Sequence, residues 1–336
     1  MRTYVLGAGA SLHAGYPLTR EMGTRLIAWM QRQQDSRIRD AAEFFRAEFS
    51  PIENIEELFS RIQSLIDCYE DGTADQKVLR TLIANERPYL IEGLRSWFCE
   101  IRGSGAPAYC QFATDIVQSG DCIISFNYDV SLDRELHRAG KWEIGDGYGF
   151  AIDGLPGESP TKMLKLHGSA NWIALLFGGI TSGITAVLDG SLGVRPVIAA
   201  NELSFLGYCR LTDPRFSRPG GSILPWILPT RNKRFFFETS FGREWEDFWD
   251  SLWEQARQGL RASEEVLILG YSLAAADERA CELLLSSPSP GAKIEIASGS
   301  ATDSIVGRFK NAGYRNAVGA RVTYFEEWVE GMCGRG

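Results

Sequence analysis

The sequence predicts an α/β protein built on a mostly parallel β-sheet with helices on both faces. Three observations carry that reading. Short, unbroken apolar runs recur along the chain, as strands buried on both faces require. Amphipathic helical stretches stand between them. Several of the runs stop abruptly in glycine, or in Asn, Asp and His, where a ligand site would sit.

The first run is Thr3-Tyr4-Val5-Leu6, followed without a spacer by Gly7-Ala8-Gly9-Ala10-Ser11. An amphipathic pattern begins near Thr19, with Met22, Leu26, Ile27, Trp29 and Met30 on its apolar face. Strand, glycine turn and helix is the arrangement that presents backbone N–H groups and a positive helix end to a phosphate. A G-x-G-x-x-G fingerprint would place a third glycine at position 12, which is Leu12; the next glycine is Gly15. A strand-to-helix turn that binds nothing is the alternative.

Residues 19–120 read as a helical region. Its clearest helix follows Pro51, with Ile52, Ile55, Leu58, Phe59, Ile62 and Leu65 at helical spacing, and ends at Gly72. A further helix carries Leu79, Leu82 and Ile83 and, past Pro88, Leu90, Leu94 and Trp97. This region reads as a layer packed on a sheet and is assigned no chemistry.

A second buried strand, Asp121-Cys122-Ile123-Ile124-Ser125-Phe126, ends in Asn127-Tyr128-Asp129, and a helix with Leu132 and Leu136 follows. A glycine-rich connection leads to Met163-Leu164-Lys165-Leu166, which ends in His167-Gly168-Ser169. Residues 175–235 are irregular, with a possible strand at Pro196-Val197-Ile198-Ala199. Between 210 and 234 six basic residues stand against one acid, Asp213. A solvated loop, a phosphate-facing wall or a partner contact would each account for that charge.

The last third alternates regularly. A tryptophan-rich helix (Trp245, Trp249, Trp253) precedes Val266-Leu267-Ile268-Leu269, which turns at Gly270-Tyr271-Ser272 into a helix through Asp277. The strand Lys293-Ile294-Glu295-Ile296-Ala297 follows, then a helix from Ile305, a strand Val322-Thr323-Tyr324-Phe325, and a short helix from Glu326.

Charge and cysteine usage narrow the function. With 35 Lys and Arg against 43 Asp and Glu, a net charge of −8 argues against broad binding to nucleic acid or anionic membrane. Seven dispersed cysteines form no CxxC pair, which speaks against a zinc ribbon and suits a reducing compartment. Three histidines and no clustered acids offer no zinc or di-metal ligand set. No run of about 18 apolar residues is present, and the glycine turn at residue 7 leaves no room for a signal peptide. A cytoplasmic protein with no direct nucleic-acid or membrane partner is expected.

If the strands are parallel, four polar or glycine-rich ends converge on one crevice: Gly7 to Ser11, Asn127 to Asp129, His167 to Ser169, and Gly270 to Ser272. Each has a plainer reading. Asn127 and Asp129 could cap a helix, and His167 could be a hydrogen-bonded core histidine. Surface roles suit His13 and His137.

Taken in order, GAGAS, FNYD after a strand, KLHGS with a tryptophan soon after, PTRNK and LGYS resemble the SIR2-like family, related to sirtuins and common in bacterial anti-phage defence. The resemblance spans nearly the whole chain. It implies one Rossmann-like NAD-binding domain over 1–336, with a helical insertion at about 20–120 and an irregular one at about 175–235. By the same resemblance Gly7, Ala8, Gly9 and Ser11 match the pyrophosphate turn. Asn127 and Asp129 match residues facing the nicotinamide ribose and amide, and His167 matches the catalytic histidine. Gly270 and Ser272, with Asp277 in the helix beyond, match the turn near the adenosine ribose and phosphates; Ser298 is a weaker match there.

Two departures shape the expected activity. Deacylating sirtuins carry two CxxC pairs, absent here, and continue their first motif through proline into Asp-Phe-Arg, where this chain reads Pro17-Leu18-Thr19-Arg20. Both weigh against protein deacylation and fit the defence-type members that resemble NAD hydrolases. The expected activity is therefore metal-free hydrolysis of NAD+, the substrate, to nicotinamide and ADP-ribose, in the service of NAD+ depletion during phage infection. Control is expected from homo-oligomerisation or from a separate regulator, such as a short Argonaute or a HerA-type ATPase. The competing class is a non-catalytic NAD+ or ADP-ribose sensor.

Overall fold

In the computed structural model the described residues are 1–101, 106–150, 157–170, 174–175, 222–223, 246–275 and 277–334. The basic stretch at 210–234, the possible strand at 196–199 and most of the stretch at 175–235 lie outside them.

The chain opens with β1 (Arg2–Leu6), a 3₁₀ turn at Ala8–Ala14, and four helices, α1 (Thr19–Met30), α2 (Ser36–Phe49), α3 (Ile55–Cys68) and α4 (Ala74–Glu100). A short α5 (Pro107–Gln111) and a π-turn at Phe112–Ile116 lead into β2 (Cys122–Ser125), α6 (Ser131–Arg138) and β3 (Lys162–Lys165). Two-residue strands β4 (Ala174–Leu175) and β5 (Ser222–Ile223) form a separate antiparallel pair. Then come α7 (Glu246–Ala262), β6 (Glu265–Leu269), α8 (Glu278–Ser286), β7 (Lys293–Ala297), α9 (Thr302–Asn311), β8 (Ala317–Gly319) and α10 (Phe325–Cys333).

The main sheet has six strands in the order β3-β2-β1-β6-β7-β8, and every pairing is parallel. Numbered within that sheet the order is 3-2-1-4-5-6, the doubly wound Rossmann arrangement. Its strands are apolar because both faces are covered. Successive side chains on a strand point to opposite faces, and Thr3 and Tyr4 show it. The Thr3 hydroxyl meets Ser263 Oγ just beyond α7 at 2.6 Å, while the Tyr4 ring packs edge-on against Phe112, 5.0 Å between centres.

Register sets where the site lies. Leu6 pairs with both Ser125 and Leu269, Ser125 with Lys165, and Leu269 with Ala297. The residues that follow these strand ends therefore leave one common edge: Gly7, Asn127, His167, Gly270 and Ser298. That edge is also the switch point, since the chain runs outward from β1 in both directions.

Local signals start the helices between β1 and β2. Asp35 caps α2 by accepting from Arg37 N, and Asn54 caps α3 by accepting from Glu56 N at 2.8 Å and Glu57 N at 3.3 Å. Thr73 and Gln76 form a capping box on α4. α4 continues through Pro88 as one helix of 27 residues rather than dividing there. Its buried Arg95–Glu92 ion pair, 3.1 Å apart, is of the kind whose half-removal costs about 3–5 kcal/mol.

One expected strand is corrected. Residues 322–325 are not a strand; β8 lies earlier, at Ala317–Gly319, and Phe325 already opens α10. Ala320 N–H still donates to Ile296 O at 2.9 Å, after which the chain leaves the sheet edge. Thr323 C=O instead accepts from Gly299 N–H at 2.8 Å. The β-branched and aromatic composition of the segment suited a sheet, and this tertiary hydrogen bond overrides it.

Candidate functional site

A cavity of about 660 Å³ opens at the carboxyl edge of the sheet. Its floor is the 3₁₀ turn after β1 together with the ends of β2, β3, β6 and β7. Of the residues singled out from sequence, Ala8, Gly9, Ser11, Asn127, Asp129, His167, Gly270, Ser272 and Ser298 line it, and so does Asp277. Gly7 does not. It sits behind the floor, and the reason is geometric.

A Cβ on Gly7 would fall 2.5 Å from Tyr271 Cα and 2.7 Å from Gly270 O. Gly270, at φ 64°, would place a Cβ 2.1 Å from Ala10 N. The turns after β1 and β6 thus touch backbone to backbone, which only glycine permits. Gly7 N–H donates to Leu269 O at 3.1 Å and Gly9 N–H to Gly270 O at 2.8 Å. These glycines join the two central strand ends, and their own amides are engaged in doing so.

Ser11 is the hub of the floor. A hydroxyl has one hydrogen to donate and two lone pairs to accept with. Asn127 Nδ2 donates to Ser11 Oγ at 3.0 Å, and Ser11 Oγ donates to Asp129 Oδ2 at 2.7 Å. The Tyr109 hydroxyl, 2.8 Å from Ser11 Oγ, must then be a donor. Burial and the nearby Asp129 charge push the Tyr109 phenol well above its usual range, so it keeps its proton. The second hydrogen on Asn127 Nδ2 goes to Gly7 O at 2.9 Å. Because Gly7 O can only accept, the orientation of the amide is settled. Both hydrogens are thus committed to the protein, in a residue that lines the cavity.

Asp129 is buried, and desolvation raises its carboxyl above the ordinary 3.8, with the Lys165 ammonium opposing. Its Oδ1 accepts from Ser131 N–H at 3.1 Å at the start of α6. Beneath it Lys165, itself buried, donates to the Asp129 backbone carbonyl and lies 3.3 Å from Asp133 Oδ1. Asp133 also accepts from the Tyr148 hydroxyl.

His167 stands across the cavity, packed edge-on against Phe126 with ring centres 5.0 Å apart. Its Nε2 lies 3.0 Å from Asp277 Oδ2, and both side chains are buried, 7% and 3% exposed. Asp277 is the N-cap of α8, accepting from Ala280 N–H, and it also accepts from the Tyr271 hydroxyl at 3.2 Å. Tyr271 stacks on Phe126 at 4.3 Å. Asp277 thus sits beside the histidine, a pairing that residues 110 apart do not reveal in sequence.

The helical region supplies more than a packing layer. Asn54, Ile55 and Glu56 at the start of α3, Thr19 to Met22 of α1, and Phe98 of α4 wall the cavity on one side. Tyr16 ties that wall down, its hydroxyl lying 2.7 Å from Ile101 O and 3.1 Å from Ser131 Oγ. Periodicity shows which face of a helix is buried, not what it faces, so this wall had no signature. His13 is also corrected: it is half-buried rather than free on the surface. Its ring lies between Tyr109 (4.5 Å) and Phe325 (5.4 Å), and burial lowers its pKa.

Among the described residues, no group of three or more His, Cys, Asp or Glu side chains is placed to hold a metal ion. Nor is any described helix long and apolar enough to cross a membrane.

No protein-family model matches the chain. A comparison with curated proteins gives no match either. Among solved structures the chain is similar to one described as the crystal structure of a Sir2 homolog–NAD complex. The identity is 12%, the TM-score is 0.41, and the likeness covers 99% of this chain and 90% of that one. The fold class rests on the sheet order and pairing described above.

Proposed function

We propose that the protein is an NAD+ glycohydrolase, binding NAD+ along the cavity and releasing nicotinamide and ADP-ribose. The observation that carries this reading is the locked Asn127 amide, in a residue that lines the same cavity as His167. The SIR2-like motifs supply the substrate class. A cavity of about 660 Å³ is within the usual range for small-molecule sites.

Breaking the nicotinamide–ribose bond develops positive charge at the anomeric carbon, as glycoside cleavage does. The chain must therefore orient the ribose, stabilise that charge and activate a water. Asn127 Oδ1 is an acceptor for a ribose hydroxyl or for the attacking water, and it is pre-oriented by Ser11 and Gly7. His167 takes the proton from that water or from a ribose hydroxyl, the usual task of an imidazole base. Asp129 lies beside them, with the carboxamide as its proposed partner. Ser272 and Ser298, which also line the cavity, are the proposed contacts of the adenosine ribose and phosphates.

By the same motifs, the proposed role is depletion of NAD+ in bacterial anti-phage defence. An enzyme that empties the NAD+ pool must be held silent, so control through self-assembly or a separate sensor protein belongs to the proposal. The test is nicotinamide release from NAD+ by the wild type, Asn127→Ala and His167→Ala proteins. Loss of turnover in both variants, with melting unchanged, is the expected result.

A further inference from the structure

The turn that follows β6 is held by a residue that does not itself line the cavity. At its start Gly270 is pressed against Ala10, and the Tyr271 ring stacks on Phe126. At its end Ala274 O accepts from Asp277 N–H at 3.0 Å. Between these points Ser272 and Ala274 line the cavity, while Leu273 is buried with φ at 51°. A leucine in the left-handed region persists only where its surroundings impose that conformation.

Arg308, in the second turn of α9, supplies part of that constraint. Its Nη1 donates to Leu273 O, and its Nη2 donates to Cys281 Sγ of α8 at 3.1 Å. A guanidinium can only donate, so the sulfur is the acceptor and the thiol hydrogen is left for Ala274 O, 3.3 Å away. One planar fork thus joins α9, α8 and the turn after β6.

We propose that Arg308 is a positioning residue for the adenosine half of NAD+: by holding Leu273 O it sets where Ser272 stands in the cavity. This deepens the proposed NAD+ site and rests on its assignment of Ser272 and Ser298 to the adenosine ribose and phosphates. Arg308 is absent from the cavity lining, so its effect passes through the backbone of the turn. It also belongs to the helix that follows Ser298, so the same bond holds the two serines in register.

Arg308→Met is the informative substitution, because it keeps an apolar stem of similar reach and removes every donor. Arg308 is only half-buried, so the chain should fold without the guanidinium, which a melting curve checks. ADP-ribose affinity should fall by about tenfold, the scale set by losing a hydrogen bond from a charged donor. KM for NAD+ should rise by a similar factor, while kcat stays within about threefold, since Asn127 and His167 stand at other strand ends. Arg308→Lys restores one donor for Leu273 O and should recover most of the affinity. A purely structural role would lower the active fraction, and with it the apparent kcat, and leave KM and ADP-ribose affinity unchanged.

The experiment is calorimetric titration of ADP-ribose into the full chain as wild type, Arg308→Met and Arg308→Lys, with nicotinamide release measured alongside. Amide hydrogen exchange over residues 271–275 without ligand is the second readout, expected to be about tenfold faster in Arg308→Met with β6 unchanged. Unchanged ADP-ribose affinity in Arg308→Met, unchanged exchange in that turn, or no recovery in Arg308→Lys would each overturn the proposal. So would a wild type that binds no ADP-ribose. If the wild type binds ADP-ribose and releases no nicotinamide, the hydrolase reading fails, and the titration still decides the role of Arg308.

Discussion

The side-chain amide of Asn127 donates to Ser11 Oγ at 3.0 Å across 116 residues of sequence, and with the bond to Gly7 O it fixes how that amide is turned. Ser11 has no hydrogen-bonding capacity to spare: Asn127 and Tyr109 donate to it, and it donates to Asp129. In the protein as described, its hydroxyl therefore serves the floor of the site.

Ser11→Ala should accordingly act through Asn127. It leaves Asn127, Tyr109 and Asp129 each short of one partner, at a cost of about 1–3 kcal/mol in stability. Urea denaturation checks that loss. Kinetically, kcat should fall while KM for NAD+ changes little, because the released amide misplaces Oδ1. A raised KM with unchanged kcat would mean that Ser11 holds the substrate directly.

Gly7→Ala should be among the most damaging small substitutions in the chain. The added methyl would meet Tyr271 Cα at 2.5 Å, and backbone on the central strands cannot move aside cheaply. A loss above about 4 kcal/mol, seen as poor soluble yield or a large drop in denaturation midpoint, is the expected outcome. Gly291→Ala, whose Cβ would meet nothing within 4 Å, is the control and should stay within about 0.5 kcal/mol of wild type. Equal effects of the two would contradict the backbone contact.

His13 makes the fold sensitive to mild acid. Burial lowers its pKa below the ordinary 6.5, with Glu326 opposing. The unfolded chain therefore binds a proton that the folded one resists. Stability is full above 6.5 and falls as pH drops from there through the folded value. His13→Phe keeps the aromatic contacts and should flatten that part of the stability–pH curve. Denaturation at a series of pH values tests it, and an unchanged slope would show that another group is responsible.

Asp129 acts in the opposite sense. Desolvation raises its carboxyl, so the folded protein holds that proton to higher pH than the unfolded chain does. Stability from this group is greatest below 3.8 and declines as pH rises from there through the folded value. Asp129→Asn should remove that decline, whatever its absolute stability. The same denaturation series reports it, and a decline that persists in the variant would place the titrating group elsewhere.

Much of the fold was legible because its strands are buried on both faces. The runs at 3–6, 122–125 and 266–269 carry no alternation and end in glycine or Asn, so both strand type and site edge could be read. Val322 to Tyr324 misled because β-propensity is local, while Thr323 is held by a bond to Gly299 formed only in the folded chain. The convergence of Asn127, His167 and Gly270 followed from parallel register. The side chains that stand beside them did not. Tyr109 and Asp277 lie in helical or capping contexts whose local sequence accounts for them without a site.

The most direct test of the central claim is release of nicotinamide and ADP-ribose from NAD+ across a protein-concentration series, with Asn127→Ala and His167→Ala alongside. The predicted result is equimolar release by the wild type and rates lower by about 100-fold or more in both variants, which melt as the wild type does. A rise in specific activity with concentration would tie activation to self-assembly. Release that is unchanged in both variants would contradict the assignment of Asn127 and His167 as the residues that carry the reaction.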